Sequence, residues 1–298
     1  MERILFGDNQ FFGVNHMSEE KARAQAMRFR DTAAIMRVLD HAYDLGINVF
    51  MCTTHDRLGE IADLVRRSPG RYPELQFYPC MPYAHKYANS VSEVGIVDTV
   101  RRFVPGGVVE TLIKGAISAA TRDASRLMQI LVDAEMKPLA GVRTPIVFLQ
   151  NVVTDLLLGL KMYDMLAAFA QHIHERYDAE AGFITMNLPM LVNALERVGI
   201  EDPIVCANVN KIGFRMCGGV EAYRELLRAR RCRAIAMSVF ASGAIPAEEA
   251  IEWVCDLEGV QSIVFGASSP DHIRHTRALI ARAWGLAPAP AAAVAAAA

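Results

Sequence analysis

Val260-Gln-Ser-Ile-Val-Phe-Gly-Ala-Ser-Ser-Pro-Asp-His-Ile-Arg-His-Thr276 reads as a strand, a small-residue loop and a helix. The apolar run Ile263–Phe265 stops at Gly266-Ala267-Ser268-Ser269, and Pro270 opens a helical pattern. Amides in a helix's first turn attract anions, and Gly, Ala and Ser side chains let a phosphate approach the backbone. As the last strand of a parallel barrel, this segment stands where such barrels most often hold phosphate.

The same unit recurs along the chain. Strands are expected near Ile4–Phe6, Asn48–Met51, Gln76–Pro79, Ile146–Leu149, Phe183–Met186, Ile204–Cys206, Ala234–Met237 and Ser262–Phe265. Helical patterns follow at Thr32–Leu45, Gly59–Arg67, a double region from Val91 to Ala140, Leu156–Tyr177, Pro189–Val198, Val220–Arg230, Ala247–Leu257 and Pro270–Trp284. Strict alternation demands parallel strands joined by crossover helices. The repeated pattern points to an α/β fold, a (β/α)8 TIM barrel forming one domain over residues 1–286. An open doubly wound sheet lacks its GxGxxG after the first strand. From the third strand to the fourth is roughly 65 residues where ~30 would complete a unit, so residues 83–144 form a helical insertion after strand 3. Its place after a strand's C-terminal end puts it over the barrel mouth. The Ala/Pro-rich residues 287–298 read as a low-complexity tail.

Of the 298 residues 52% are hydrophobic and 21% charged, and the formal net charge is −2. That composition supplies a core and argues against disorder. Arg228-Ala-Arg-Arg-Cys-Arg233 is short and ends a helix, so no nucleic-acid partner is expected. No signal peptide and no apolar run approaching ~18 residues is present, so no membrane partner is expected either. Six dispersed cysteines without CxxC spacing fit thiols in a cytoplasmic protein.

Barrel active sites are assembled from strand C-terminal ends. Asp8, Asn9, Gln10, Cys52, Arg57 and Asn151 are expected to bind substrate, within an amide-rich set that includes Gln150, Asn187, Asn208 and Asn210. His55, just beyond the second strand, titrates near neutrality and is a catalytic candidate. Tyr83, with His85 and Lys86, forms a second group after the third strand. Lys211, beside Asn208 and Asn210, is expected either to form a Schiff base, as lysines in aldolase barrels do, or to serve as a charge partner at the anion site. Asp8, His16, His55 and His85 have no HxxxH or HxH spacing, so no metal is expected.

Asp44-Leu-Gly-Ile-Asn-Val-Phe, with Cys52-Thr-Thr and Leu58-Gly-Glu, resembles the second strand and loop of the aldo-keto reductases. Met186-Asn-Leu-Pro through Val205-Cys-Ala-Asn208, and Met237-Ser-Val-Phe-Ala-Ser-Gly through Gly266-Ala-Ser-Ser-Pro270, resemble their later strands. The resemblance implies a barrel that binds NADP(H) and moves hydride to a carbonyl. It places Asn187 on the nicotinamide carboxamide, Asn208 and Ser238 beside the cofactor, and Gly266, Ala267, Ser268 and Ser269 on its phosphate. His272 and Thr276 stand where an adenine-contacting pair is usual.

The family's catalytic tetrad is absent. Its Asp is replaced by Cys52, Arg57 falls near its Tyr, Cys80 or Pro79 stands for its Lys, and Gln150 or Asn151 for its His. The expectation is an aldo-keto-reductase-like enzyme, an atypical NAD(P)H oxidoreductase acting on a small polar carbonyl compound with His55 or Tyr83 as proton donor. The alternatives are a non-redox lyase, isomerase or aldolase on a phosphorylated or carboxylated metabolite, and a non-catalytic ligand-binding protein.

Overall fold

In a computed structural model, which describes residues 1–12, 19–82 and 120–290, eight strands close into a barrel in chain order. They are β1 (Ile4–Gly7), β2 (Val49–Thr53), β3 (Gln76–Met81), β4 (Ile146–Leu149), β5 (Glu180–Thr185), β6 (Ile204–Asn208), β7 (Arg233–Met237) and β8 (Val260–Phe265). Every neighbouring pair is parallel, and β8 closes on β1 with Phe6 opposite Phe265. The fold is the expected (β/α)8 barrel, with each expected strand present to within a few residues.

Helices wrap the sheet: α1 (Glu19–Arg28), α2 (Thr32–Asp44), α3 (Leu58–Arg67), α4 (Ala120–Met136), α5 (Asn151–Gly159), α6 (Tyr163–Tyr177), α7 (Leu188–Arg197), α8 (Gly219–Arg228), α9 (Ala247–Cys255) and α10 (Pro270–Trp284). Helix α1 was not expected. Its sequence, EEKARAQAMR, shows little apolar periodicity to mark one face for burial. The single helix expected over Leu156–Tyr177 is two, because the chain turns at Lys161, whose φ is 57°.

Strand side chains alternate between two apolar compartments. Leu5, Tyr78, Phe148, Ile184, Cys206 and Ile235 fill the barrel interior. Phe6, Phe50, Cys52, Phe77, Phe183 and Val205 pack outward among the helices. Gly182 stands opposite Phe148 in the β4–β5 register, and a Cβ there would overlap the Phe148 ring. The missing side chain on β5 is therefore what admits the large one on β4.

Residues 83–119 of the expected insertion lie outside the described residues, and with them Tyr83, His85, Lys86 and the covering of the mouth. His16 lies outside as well. The remainder of the insertion, α4 and the turn Lys137–Leu139, packs between α3 and α6. Leu286 and Ala289 pack against the outer core, and Arg277 donates to the Ala287 carbonyl at 2.9 Å, so the expected tail docks at its start. Among the described residues no helix is long and apolar enough to cross a membrane.

Candidate active site

Continuing the alternation past the strand ends gives the ring of residues that faces the mouth. Leu5 points inward, so Gly7 does; Met51 gives Thr53, Phe148 gives Gln150, Ile184 gives Met186, Cys206 gives Asn208, and Val264 gives Gly266. A single residue's step moves a side chain to the other face. Cys52 accordingly lies in the outer layer, buried among the helices, and does not line the mouth. An inward acid on β2 would stand at Met51 or Thr53, which corrects the placement of Cys52 at the family's Asp.

An acid from the neighbouring strand, just past its inward-facing end, bonds to the inward-facing Thr53. Asp8 ends β1, is 5% exposed, and its Oδ2 accepts from the Thr53 amide at 2.6 Å and the Thr53 hydroxyl at 2.7 Å. Burial pushes its pKa up to about 6, against the lowering pull of the Thr53 hydrogen bonds. A carboxyl at that value holds its proton into the range where general acids work.

The loops after β1 and β2 are zipped together beyond Asp8. The Phe12 ring stacks on His55 at 4.1 Å and 15°. His55 Nδ1 accepts from the Arg57 amide at 3.3 Å, which leaves Nε2 as the protonated nitrogen of the neutral ring. Arg57 places its guanidinium over Phe12, 5.5 Å from the centroid, and donates to the Phe29 carbonyl. Those bonds commit Arg57 to holding the loop together. Asn9 is exposed on the first turn after β1.

Three of the amides expected to receive ligand, Asn187, Asn208 and Asn210, are spent on the protein. Asn187 is the N-cap of α7, its side-chain oxygen accepting from the Met190 amide at 3.2 Å. Asn210 is fully buried, donating to Phe214 O at 2.9 Å and accepting from Phe214 N at 2.7 Å. Asn208 faces the mouth but donates to Arg215 O at 3.0 Å. Asn151 opens α5 and Gln150 is that helix's N-cap residue.

Lys211 is not in the mouth. Its side chain is 47% exposed and pairs with Glu249 at 2.7 Å. A Schiff-base lysine needs a desolvated amine, so this position does not serve that role. Ser238 leaves β7 with φ 55°, followed by Ala241 at 47° and Ser242 at 59°. Non-glycine residues held there cost of order 1–3 kcal/mol each and cluster at functional loops.

The loop after β8 keeps its small residues but uses part of its anion-binding capacity internally. Ser269 caps α10, its hydroxyl accepting from His272 N at 3.4 Å. Pro270 has no N–H, and Asp271 adds negative charge to the first turn. Ala267 and Ser268 are half-buried beside the exposed Gly266. His272 is exposed, while Thr276 is buried on α10.

Two carboxylates that the sequence did not single out brace this end of the barrel. Asp155 on α5 accepts from the Thr185 hydroxyl at 2.5 Å and the Met186 amide at 3.1 Å, and burial raises its pKa. Its signal was an acid inside the apolar run Val152–Leu158. Glu135 on α4, almost fully buried, accepts from the Thr54 hydroxyl and ties the insertion's last helix to the β2 loop. Among the described residues no three His, Cys, Asp or Glu side chains converge as metal ligands.

No protein-family model matches the chain, and no curated protein sequence matches it. Solved structures do. A Pseudomonas aeruginosa protein described as an aldo-keto reductase superposes with a TM-score of 0.57 at 19% identity, covering 95% of this chain and 90% of that one. An aldo/keto reductase from Brucella melitensis gives 0.54 at 10% identity, over 98% and 92% of the two chains. An aldo/keto reductase from Klebsiella pneumoniae, solved with NADP and acetate, gives 0.50 at 13% identity, over 99% and 90%. Over nearly its full length, this chain has the fold of the aldo-keto reductases.

Proposed function

We propose that the barrel mouth reduces a small polar carbonyl compound with a nicotinamide cofactor, and that Asp8 supplies the proton. The observation that carries the reading is Asp8 itself, a buried carboxyl at the rim whose pKa is pushed up to about 6. The fold adds support, since the similar Klebsiella pneumoniae reductase was solved with NADP.

The residues present fit such a cofactor at its nicotinamide end. Asn208 faces the mouth at the end of β6, opposite Met237 of β7. Ala267 and Ser268 would hold the phosphate end, more weakly than an uncapped helix start would. When bound, the cofactor supplies a hydride to the carbonyl carbon. The C=O π pair then takes the Asp8 proton at oxygen, an alcohol forms, and Asp8 is left as a carboxylate to be reprotonated from solvent. Thr53 stabilises that carboxylate through its amide and hydroxyl. His55, stacked on Phe12 at the rim, is placed to position the substrate.

One observation favours a second reading. With Ser269 and Asp271 occupying the α10 terminus, acid–base chemistry by Asp8 alone, in an isomerase or lyase, needs less of the β8 loop. Titration of the protein with NADPH, followed by fluorescence, decides between them. Saturable binding supports the reductase, and no binding at millimolar cofactor removes it.

A further inference from the structure

β1 and β8 are neighbours, and each reaches the mouth with a glycine on its inward face, Gly7 and Gly266. The carboxamide of Gln10 occupies the space that the absent Gly266 side chain leaves. Its Nε2 donates to the Gly7 carbonyl at 2.8 Å, and its Oε1 turns to Gly266, where a Cβ would overlap it. Exchanging nitrogen and oxygen would set the oxygen against the Gly7 carbonyl and lose that bond, so the orientation is fixed by the backbone.

Gln10 is 5% exposed, and its Oε1 is buried with no hydrogen-bond partner among the described residues. An acceptor stripped of water and left unpaired is costly, and native structures keep few of them. Asn208 and Asn210, by contrast, are hydrogen-bonded to their own loop. Asp8 does not relieve Gln10, because its carboxyl turns the other way, to Thr53.

We propose that Gln10 is a ligand-binding residue whose Oε1 accepts an N–H or O–H from the molecule bound in the mouth. The site thereby selects a hydrogen-bond donor at the β1–β8 edge. The proposal rests on the mouth being a ligand site, as in the reductase reading. The donor is either a carboxamide N–H, as on a nicotinamide, or a hydroxyl of a polar substrate.

The test follows the Gln10 side-chain N–H2 resonances of the 15N-labelled protein during titration with acetamide, glycerol and NADPH. At least one probe should shift them saturably, and Gln10→Met should weaken that probe by about tenfold or more, as expected for an orphaned donor. A response to acetamide or NADPH identifies the amide source, and a response to glycerol alone identifies the hydroxyl. If a small donor moves the pair and NADPH does not bind, the Gln10 site stands and the reductase reading falls. If none of the three moves the pair in the wild-type protein, the oxygen takes no ligand and the proposal is overturned.

Discussion

Asp8 and Thr53 join the ends of β1 and β2 through one carboxylate oxygen, which takes both the amide and the hydroxyl of the threonine. Those two bonds pull the Asp8 pKa down while burial pulls it further up, from 3.8 to about 6. The folded protein therefore binds this proton more tightly than the unfolded chain does. Between pH 4 and pH 6 the unfolded chain releases it first, so this group's contribution to stability falls as pH rises and stays low above 6. Asp8→Asn should stabilise the protein at pH 8 by up to about 3 kcal/mol and change little at pH 4. Thermal melts across that range check it, and a gain that grows toward acid pH would contradict it.

The same shift has a kinetic counterpart. If Asp8 delivers the proton, the protonated form is the active one, and kcat/KM for carbonyl reduction should decline above about pH 6, tenfold per unit. Asp8→Asn should lose about 10²–10⁴-fold in turnover and flatten that limb. A steady-state pH profile of both proteins is the measurement.

Asp155 holds the end of β5 from α5. Asp155→Leu leaves the Thr185 hydroxyl and the Met186 amide without their acceptor and should cost about 3 kcal/mol in denaturant unfolding. Asp155→Asn, which keeps an oxygen for one of them, should cost less.

Gly182→Ala should destabilise by about 1–3 kcal/mol, since the new methyl meets the Phe148 ring. Phe148→Leu in the same chain should recover part of that loss. Additive effects in the double-mutant cycle would mean that the two positions do not share space.

Lys211→Ala should leave turnover unchanged and move stability by less than about 1 kcal/mol, as for an exposed ion pair. A large loss of activity would restore the Schiff-base role.

The strands were legible because burial on both faces demands short β-branched and aromatic runs, and Ile146–Leu149 and Ile204–Cys206 can hardly be anything else. Helix α1 was not, because EEKARAQAMR gives little periodic sign of a face to bury. At the strand ends, the positions of Asp8, Gln10 and His55 just past β1 and β2 were legible. The duties of Asn187, Asn208 and Asn210 were not, because they are set by Met190 N, Arg215 O and Phe214, brought near only by folding. Cys52 was misplaced by one residue, the interval that separates the barrel side of a strand from its helix side. Asp155 and Glu135 act on strand ends from distant helices, and nothing local in sequence ties an acid on α5 to Thr185, or one on α4 to Thr54.

Tyr78 and Phe148, with the aliphatic side chains around them, plug the barrel along its axis. Anything bound at the mouth must then arrive and depart through one opening. Where two molecules share such a blind well, the deeper one has to enter first and leave last. If the reductase reading holds, its reaction has a compulsory sequence of binding, imposed by a core whose first duty is to hold the fold together.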